Sequence, residues 1–249
     1  MVPWASSAGT TRDLGRTVKP RKIENLMIQS SSLWELIELR ADETPDALFA
    51  VDDDDRTLSF EAYRLRCLRS AAGLAERGIA AGSPVSWALP TGLESLILMG
   101  ALARLSARQN PILPIYRERE IGFIVRQSDC RLLIVPREFR GYDYGDMARK
   151  LAAQKTDLDV WLVDPRLPEA DEKTLPTWVP ANPDDPKSEN PPATWLFYTS
   201  GTTADPKGAL HSDTSLLAYS VGMTDCLALQ EDDRIALVFP SHTSEESAG

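Results

Sequence analysis

Residues 198–208 read Tyr-Thr-Ser-Gly-Thr-Thr-Ala-Asp-Pro-Lys-Gly, a string whose types and spacing suit it to holding a polyphosphate. Four hydroxyl residues (Thr199, Ser200, Thr202, Thr203), two glycines (Gly201, Gly208) and Lys207 fall close together. Glycine lets the backbone approach a ligand, main-chain N–H groups and hydroxyls donate to phosphate oxygens, and lysine supplies positive charge. The preceding run Trp195-Leu196-Phe197-Tyr198 is apolar and strand-like. A loop leaving the end of a strand is therefore expected. The order is not that of a Walker A loop, which needs Gly-Lys-Ser/Thr opening a helix. Here Lys207 precedes the last glycine, and Pro206 bars a regular helix through the loop. A Ser/Thr-rich surface turn is the plain alternative; the length of the string, placed after a strand, argues against it.

The string resembles the phosphate-binding signature of the adenylate-forming superfamily: acyl-CoA synthetases, adenylation domains of peptide synthetases, and luciferases. That signature usually reads Thr-Ser-Gly-Thr-Thr-Gly-x-Pro-Lys-Gly. Ala204 stands where glycine is usual, a mild change if φ is negative there and a costly one if φ is positive. The resemblance covers residues 33 to 240 or so. Leu33-Trp34-Glu35-Leu36-Ile37 with Thr44-Pro45-Asp46 is similar to the opening helix of acyl-CoA ligases, and Thr57-Leu58-Ser59-Phe60 to their early strand-to-helix step. Gln109-Asn110-Pro111-Ile112-Leu113-Pro114 with Arg117-Glu118-Arg119-Glu120 resembles the cyclohexanecarboxylate and fatty acid CoA ligase branch.

The resemblance implies ATP-dependent activation of a carboxylic acid, fatty or alicyclic, to an acyl-adenylate, then transfer of the acyl group to a thiol, usually that of coenzyme A. Mg²⁺ normally bridges the phosphates in this family. Carried over by position, Thr199, Ser200, Gly201, Thr202 and Thr203 would wrap the β- and γ-phosphates, and Lys207 would neutralise or brace the loop. His242, after Phe239-Pro240, stands near the family's active-site aromatic or histidine and is the candidate catalytic residue. The residues around it, Ser241 and then Thr243-Ser244-Glu245-Glu246, depart from the family's histidine followed by a glycine-containing apolar stretch. His211 is expected to pack or to cap the next helix. No metal ligand is assigned. Ligases of the family are much longer than 249 residues. The expectation is an N-terminal portion, without the adenine and metal segment, the ribose-binding aspartate, the hinge and the C-terminal lid, and inactive by itself. Two other readings stay open: a non-catalytic remnant or partner-binding fragment, and an adenylation domain that loads a carrier-protein thiol.

Positioning such a loop needs a framework, and the pattern of the chain supplies one. Ser32-Leu33-Trp34-Glu35 fits a capping box ahead of Leu36, Ile37 and Arg40 at helical spacing. Residues 47–51 read as a strand and Asp52-Asp53-Asp54-Asp55 as a water-facing turn rather than a metal site. Ser59 is expected to cap a helix with Tyr63, Cys67, Ala71 and Leu74 on one face, stopped at Gly78. Strands are then expected at 85–89, 112–113, 132–135, 160–163, 194–198 and 235–239, with helices at 93–105, 117–128 and 147–153. This alternation predicts an α/β fold of mainly parallel sheets flanked by helices. Residues 1–31 read as a basic arm and 32–249 as one partial domain. Within it 164–193 holds eight of the chain's 18 prolines and reads as an extended linker. As an N-terminal portion, the chain is expected to have its sheet cut off after the strand that follows the loop, leaving an unpaired edge open to self-association.

Composition excludes several classes. Hydrophobic residues make up 43%, enough for a sizeable core. The net charge of −10 speaks against a nucleic-acid-binding surface, but not against ATP, since local loop chemistry outweighs distant charge. Cys67, Cys130 and Cys226 are widely spaced and odd in number, which suggests neither a zinc site nor a disulfide framework. Buried free thiols in a reducing cytoplasm are the expectation. No apolar run is long enough for a membrane span.

Overall fold

The computed structural model describes residues 30–164, 166–178, 193–199, 206–230 and 233–237. Ser32 caps α1 (Leu33–Glu43), its hydroxyl accepting from the Glu35 N–H at 3.2 Å. Glu35 reaches back to the Ser31 N–H at 2.6 Å. Trp34, Ile37 and Ala41 form the buried stripe of this helix. Next, β1 (Leu48–Val51) and β2 (Thr57–Ser59) pair antiparallel. The turn between them is built on Asp52, whose Oδ1 accepts from the Asp54 and Arg56 N–H groups. Ser59 caps α2 (Phe60–Ala75), which buries Tyr63, Cys67, Ala71 and Leu74. The chain turns out of this helix at Gly78, where φ is +80°.

The main sheet has six strands in the order β10-β9-β4-β3-β5-β8. In chain order they are β3 (Pro84–Trp87), β4 (Arg108–Pro111), β5 (Leu132–Pro136), β8 (Asp159–Val163), β9 (Trp195–Thr199) and β10 (Lys207–His211). A small hairpin, β6 (Glu138–Phe139) and β7 (Tyr142–Asp143), follows β5. The connecting helices are α3 (Leu93–Arg104), α4 (Glu118–Gln127) and α5 (Tyr144–Gln154), and α6 (Asp213–Leu227) follows β10. Strands β9, β4, β3, β5 and β8 are mutually parallel; β10 alone runs antiparallel, against β9. The α/β fold with a mainly parallel sheet flanked by helices is thus as the alternating pattern predicts.

Alternation along β5 shows the layering. Leu132 and Ile134 join the cluster formed with Trp34, Cys67, Ile97 and Leu102, while Leu133 and Val135 join the one formed with Ile121, Ile124 and Met147. One face of the sheet is thus covered by α1, α2 and α3 and the other by α4 and α5. This is how a parallel strand comes to be apolar at every position.

Four expectations need correction. The strand expected at 112–113 is β4, four residues earlier, with the sequence Arg-Gln-Asn-Pro. Gln109 and Asn110 are fully buried, and polar partners take the place of hydrophobicity: Asn110 Nδ2 donates to Ser86 Oγ at 3.0 Å. The stretch 164–193 is more than a linker. In its described part Leu167 is buried, Leu175 and Trp178 pack on the first cluster, and the Ala170 N–H donates to Arg69 O at 3.0 Å. No strand covers 233–237, which pair with no strand among the described residues; 238 and 239 lie outside them. Finally, β10 has no counterpart in the sequence expectations, and α6 answers only to the helix expected, without bounds, after His211. Lys-Gly-Ala-Leu-His is too short and mixed to read as a strand, and α6 buries only Leu217.

Candidate functional site

The candidate loop joins β9 to β10. Thr199, the last residue of β9, is the register partner of Lys207, the first of β10. The end of β9 and the start of β10 therefore lie side by side. Because β9 is parallel to β4 and β3, Thr199 lies at the carboxyl edge of the sheet, where open α/β sheets receive ligands. Thr199 and Lys207 are both exposed. Ser200, Gly201, Thr202, Thr203 and Ala204 lie outside the described residues, as does His242. The structure thus brings together two of the seven sequence-predicted site residues, at the mouth of the loop.

The two faces of the hairpin explain why these residues form it. On one face Trp195 and Phe197 stack with rings 5.7 Å apart and 10° from parallel, and His211 meets Phe197 edge-on at 5.7 Å. His211 therefore packs, as expected. The helix cap is Ser212, whose hydroxyl accepts from the Ser215 N–H at 3.2 Å. On the other face Tyr198 leans on the second core cluster, and burial pushes its phenol above the usual range, so it stays protonated and neutral. Opposite Tyr198 is Gly208. A Cβ there would meet Leu196 Cδ1 at 2.9 Å and Tyr198 Cζ at 3.0 Å. A side chain at 208 would therefore make the end of Leu196 or Tyr198 shift, a packing reason for glycine that is separate from phosphate approach. The residue that sequence reasoning passed over is Asp213. Ser212-Asp213 ahead of Leu216-Leu217 is a helix-start signal. That signal foretells α6, not the long-range bonds of the aspartate.

Elsewhere, a cavity of about 240 Å³ between α4 and α5, lined by Gly122, Arg126, Leu151 and Lys155, contains none of the candidate residues. Among the described residues one carboxylate group is close enough to hold a cation, Asp52, Asp53 and Asp54, with ligand atoms within 4.8 Å of one another. It belongs to the β1–β2 hairpin, a sheet separate from the loop. Arg56 already engages it, Nε donating to Asp52 Oδ2 at 2.7 Å while the guanidinium also grips Glu94. Of the three cysteines, Cys67 and Cys130 are buried, as expected, and Cys226 is exposed on α6, which corrects the expectation of three buried thiols. No described helix is long and apolar enough to cross a membrane.

Comparison with known proteins gives a consistent result. The family model for AMP-binding enzymes matches residues 37–244. The sulfoacetate–CoA ligase of Cupriavidus necator is 30% identical over 215 residues, 84% of this chain and 40% of that one. The salicyl-AMP ligase / salicyl-S-ArCP synthetase of Mycobacterium tuberculosis is 33% identical over 177 residues, 66% of this chain and 30% of that one. The O-succinylbenzoate coenzyme A synthetase of Bacillus subtilis, solved in complex with AMP, shares the fold with a TM-score of 0.64 at 20% identity, over 81% of this chain and 48% of that one. The chain spans less than half the length of each of these relatives.

Proposed function

The chain belongs to the AMP-binding enzyme family, and we propose that it serves ATP-dependent activation of a carboxylic acid, with the β9–β10 loop gripping the β- and γ-phosphates of ATP. The observation that carries this reading is the strand–loop–strand geometry. A hydroxyl- and glycine-rich loop opens at the carboxyl edge of the sheet between Thr199 and Lys207. In the proposed reaction a carboxylate oxygen attacks the α-phosphate, the bond to the bridging oxygen breaks, and pyrophosphate leaves with the electron pair. Main-chain N–H groups and the hydroxyls of Thr199, Ser200, Thr202 and Thr203 would meet the charge growing on pyrophosphate, with Gly201 allowing close approach. Lys207 would offset like-charge repulsion among the reactants, and His242 would stand beside the acid. Mg²⁺ would share in charge neutralisation as part of the nucleotide substrate. The Asp52–Asp54 group is in the wrong sheet to serve the loop, so no step is assigned to the metal.

The acyl group would next pass to a thiol, that of coenzyme A in the first reading and that of a carrier protein in the second. A CoA ligase and an S-ArCP synthetase match at similar identity, which is the specific ground for keeping both. The acid would be a fatty or alicyclic one, and the buried thiols suit work in a reducing cytoplasm. We further propose that the chain self-associates through β10, whose outer edge pairs with no strand among the described residues and whose Leu210 is 58% exposed. A sedimentation series that stays monomeric at high concentration would remove that proposal.

Calorimetry of ATP with the 249-residue chain tests the central reading. Changing Thr202 and Thr203 together to alanine is expected to abolish measurable binding, since each donor to a charged group contributes roughly 1.5–3 kcal/mol. A folded double mutant that binds ATP as the wild type does would refute the phosphate role. Acid-dependent pyrophosphate exchange, followed by acyl capture with coenzyme A or with a phosphopantetheinyl carrier, separates the two thiol readings.

A further inference from the structure

The hairpin that carries the loop is thinly attached to the sheet. Strand β5 follows β8 in register from Leu132↔Asp159 to Pro136↔Val163, and β3 follows β4 from Pro84↔Arg108 to Trp87↔Pro111. By contrast, β9 meets β4 only at Gln109↔Trp195, with the Gln109 N–H donating to Thr194 O at 2.8 Å. Backbone pairing thus joins the β9–β10 unit to the sheet at one ladder position, beside the packing of Leu196 and Tyr198.

One side chain closes that gap. Asp213, in the first turn of α6, accepts through Oδ1 from Thr194 Oγ1 at 2.8 Å and from Trp195 Nε1 at 2.5 Å. Its Oδ2 accepts from the Leu33 N–H at 3.0 Å. Leu33 is the first residue of α1, so this N–H is one of the donors that a helix cannot satisfy internally. The carboxylate therefore lies at the amino ends of two helices, α6 and α1, where both dipoles favour a negative charge. Next to Leu33 is Trp34, which has no exposed surface, so α1 is a fixed point. The first residues of β9, the start of α6 and the start of α1 all meet at Asp213.

We propose that Asp213 is the positioning residue of the loop, a carboxylate latch that holds the β9–β10 hairpin against α1 so that the loop is already in place when a nucleotide arrives. The inference rests on the phosphate-binding reading of the loop. It adds that the affinity depends on a residue that never touches the nucleotide. If releasing the latch left the hairpin in its competent pose a tenth of the time, the apparent dissociation constant would rise about tenfold.

The test uses the full chain with Asp213→Ala, Asp213→Asn and Trp195→Phe. The asparagine keeps an acceptor for Thr194 and Trp195 but turns an N–H₂ toward Leu33. The phenylalanine keeps an aromatic ring beside Phe197 but removes the Nε1 donor. Amide hydrogen exchange is expected to speed up at 195–199 and 207–211 by tenfold or more in Asp213→Ala, less in the other two, with β3 and β5 unchanged. ATP affinity by calorimetry is expected to fall about tenfold in Asp213→Ala and to lie between that and wild type in Asp213→Asn. Exchange that rises evenly through all strands, or does not rise at all, overturns the latch, and so does localised loosening with unaltered ATP affinity. A wild-type chain that binds no ATP overturns the phosphate reading and the affinity claim with it, while the exchange pattern still judges the latch by itself.

Discussion

Gly208→Ala is the sharpest test of how the hairpin is packed. The added Cβ would stand 2.9 Å from Leu196 Cδ1 and 3.0 and 3.2 Å from Tyr198 Cζ and Cε1, well inside ordinary contact. Leu196 is buried and Tyr198 leans on the second core cluster, so these side-chain ends can move only in part, although Gly208 itself is exposed. Forcing a methyl group into packed surroundings costs about 1–3 kcal/mol. Alanine recovers about 0.4–1 kcal/mol by stiffening the unfolded chain. The difference is a net loss of about 0–2.6 kcal/mol, concentrated in β9 and β10. Gly222→Ala on α6 is the matched control. A Cβ there meets nothing within 4 Å, and alanine exceeds glycine in a helix by about 1 kcal/mol. Urea unfolding monitored by tryptophan fluorescence, with Trp195 in the hairpin as a local reporter, is the assay. Gly208→Ala should shift the midpoint down and Gly222→Ala should shift it up. Equal, stabilising shifts in both would refute the packing argument and return Gly208 to a role in ligand approach alone.

Other consequences are as concrete. Under native conditions a thiol reagent should label Cys226 rapidly and Cys67 and Cys130 only after denaturation, since burial pushes both of those thiols up and keeps them protonated; intact-mass spectra showing triple labelling of folded protein would contradict this. The same two thiols give a pH dependence: their folded values lie above the unfolded one of about 8.5, so the stability linked to them is intact below that pH and is lost as pH climbs past it toward the folded values. Denaturation midpoints that stay flat between pH 8 and 10, roughly the span above the free-thiol value, would count against both burials. Arg56→Ala removes bonds to Asp52 and Glu94, but the arginine is about half exposed, so solvent screening should hold the loss to about 0.5–1 kcal/mol, read by thermal melting.

The parts legible in the sequence are those decided locally. The caps at Ser32 and Ser59 are short-range hydrogen bonds, and the helices they open begin where the residue types say. Strand β5 is apolar at each of its first four positions and buried on both sides, so hydropathy finds it. Strand β4 escapes the same reading because Gln109 and Asn110 are kept in the interior by partners, Met99 O and Ser86 Oγ, that come from other elements. The stretch after Pro165 escapes for the opposite reason: its prolines advertise an open connection, yet Leu167 joins the first core cluster and Trp178 packs against it.

At the candidate site the division is the same. Hydroxyls, glycines and a lysine in one string state a chemistry that needs no knowledge of the fold, and they are the reason the loop can be found at all. Where the loop stands is a tertiary matter. It depends on the ladder pair at Gln109 and Trp195, on the packing of Tyr198 against the second core cluster, and on Asp213, whose hydrogen-bond partner Leu33 is 180 positions away in the chain. A carboxylate in the first turn of a helix reads locally as a dipole partner and nothing more. Only when Thr194, Trp195 and Leu33 are brought to its two oxygens does it become the residue on which the placement of the loop depends. If the loop grips phosphate as proposed, affinity should be lost by two separable routes, donor removal at Thr202 or Thr203 and release at Asp213. Because the first removes donors and the second lowers the fraction of competent hairpin, the effects of the single change Thr202→Ala and of Asp213→Asn on ATP affinity should add when combined in a folded chain.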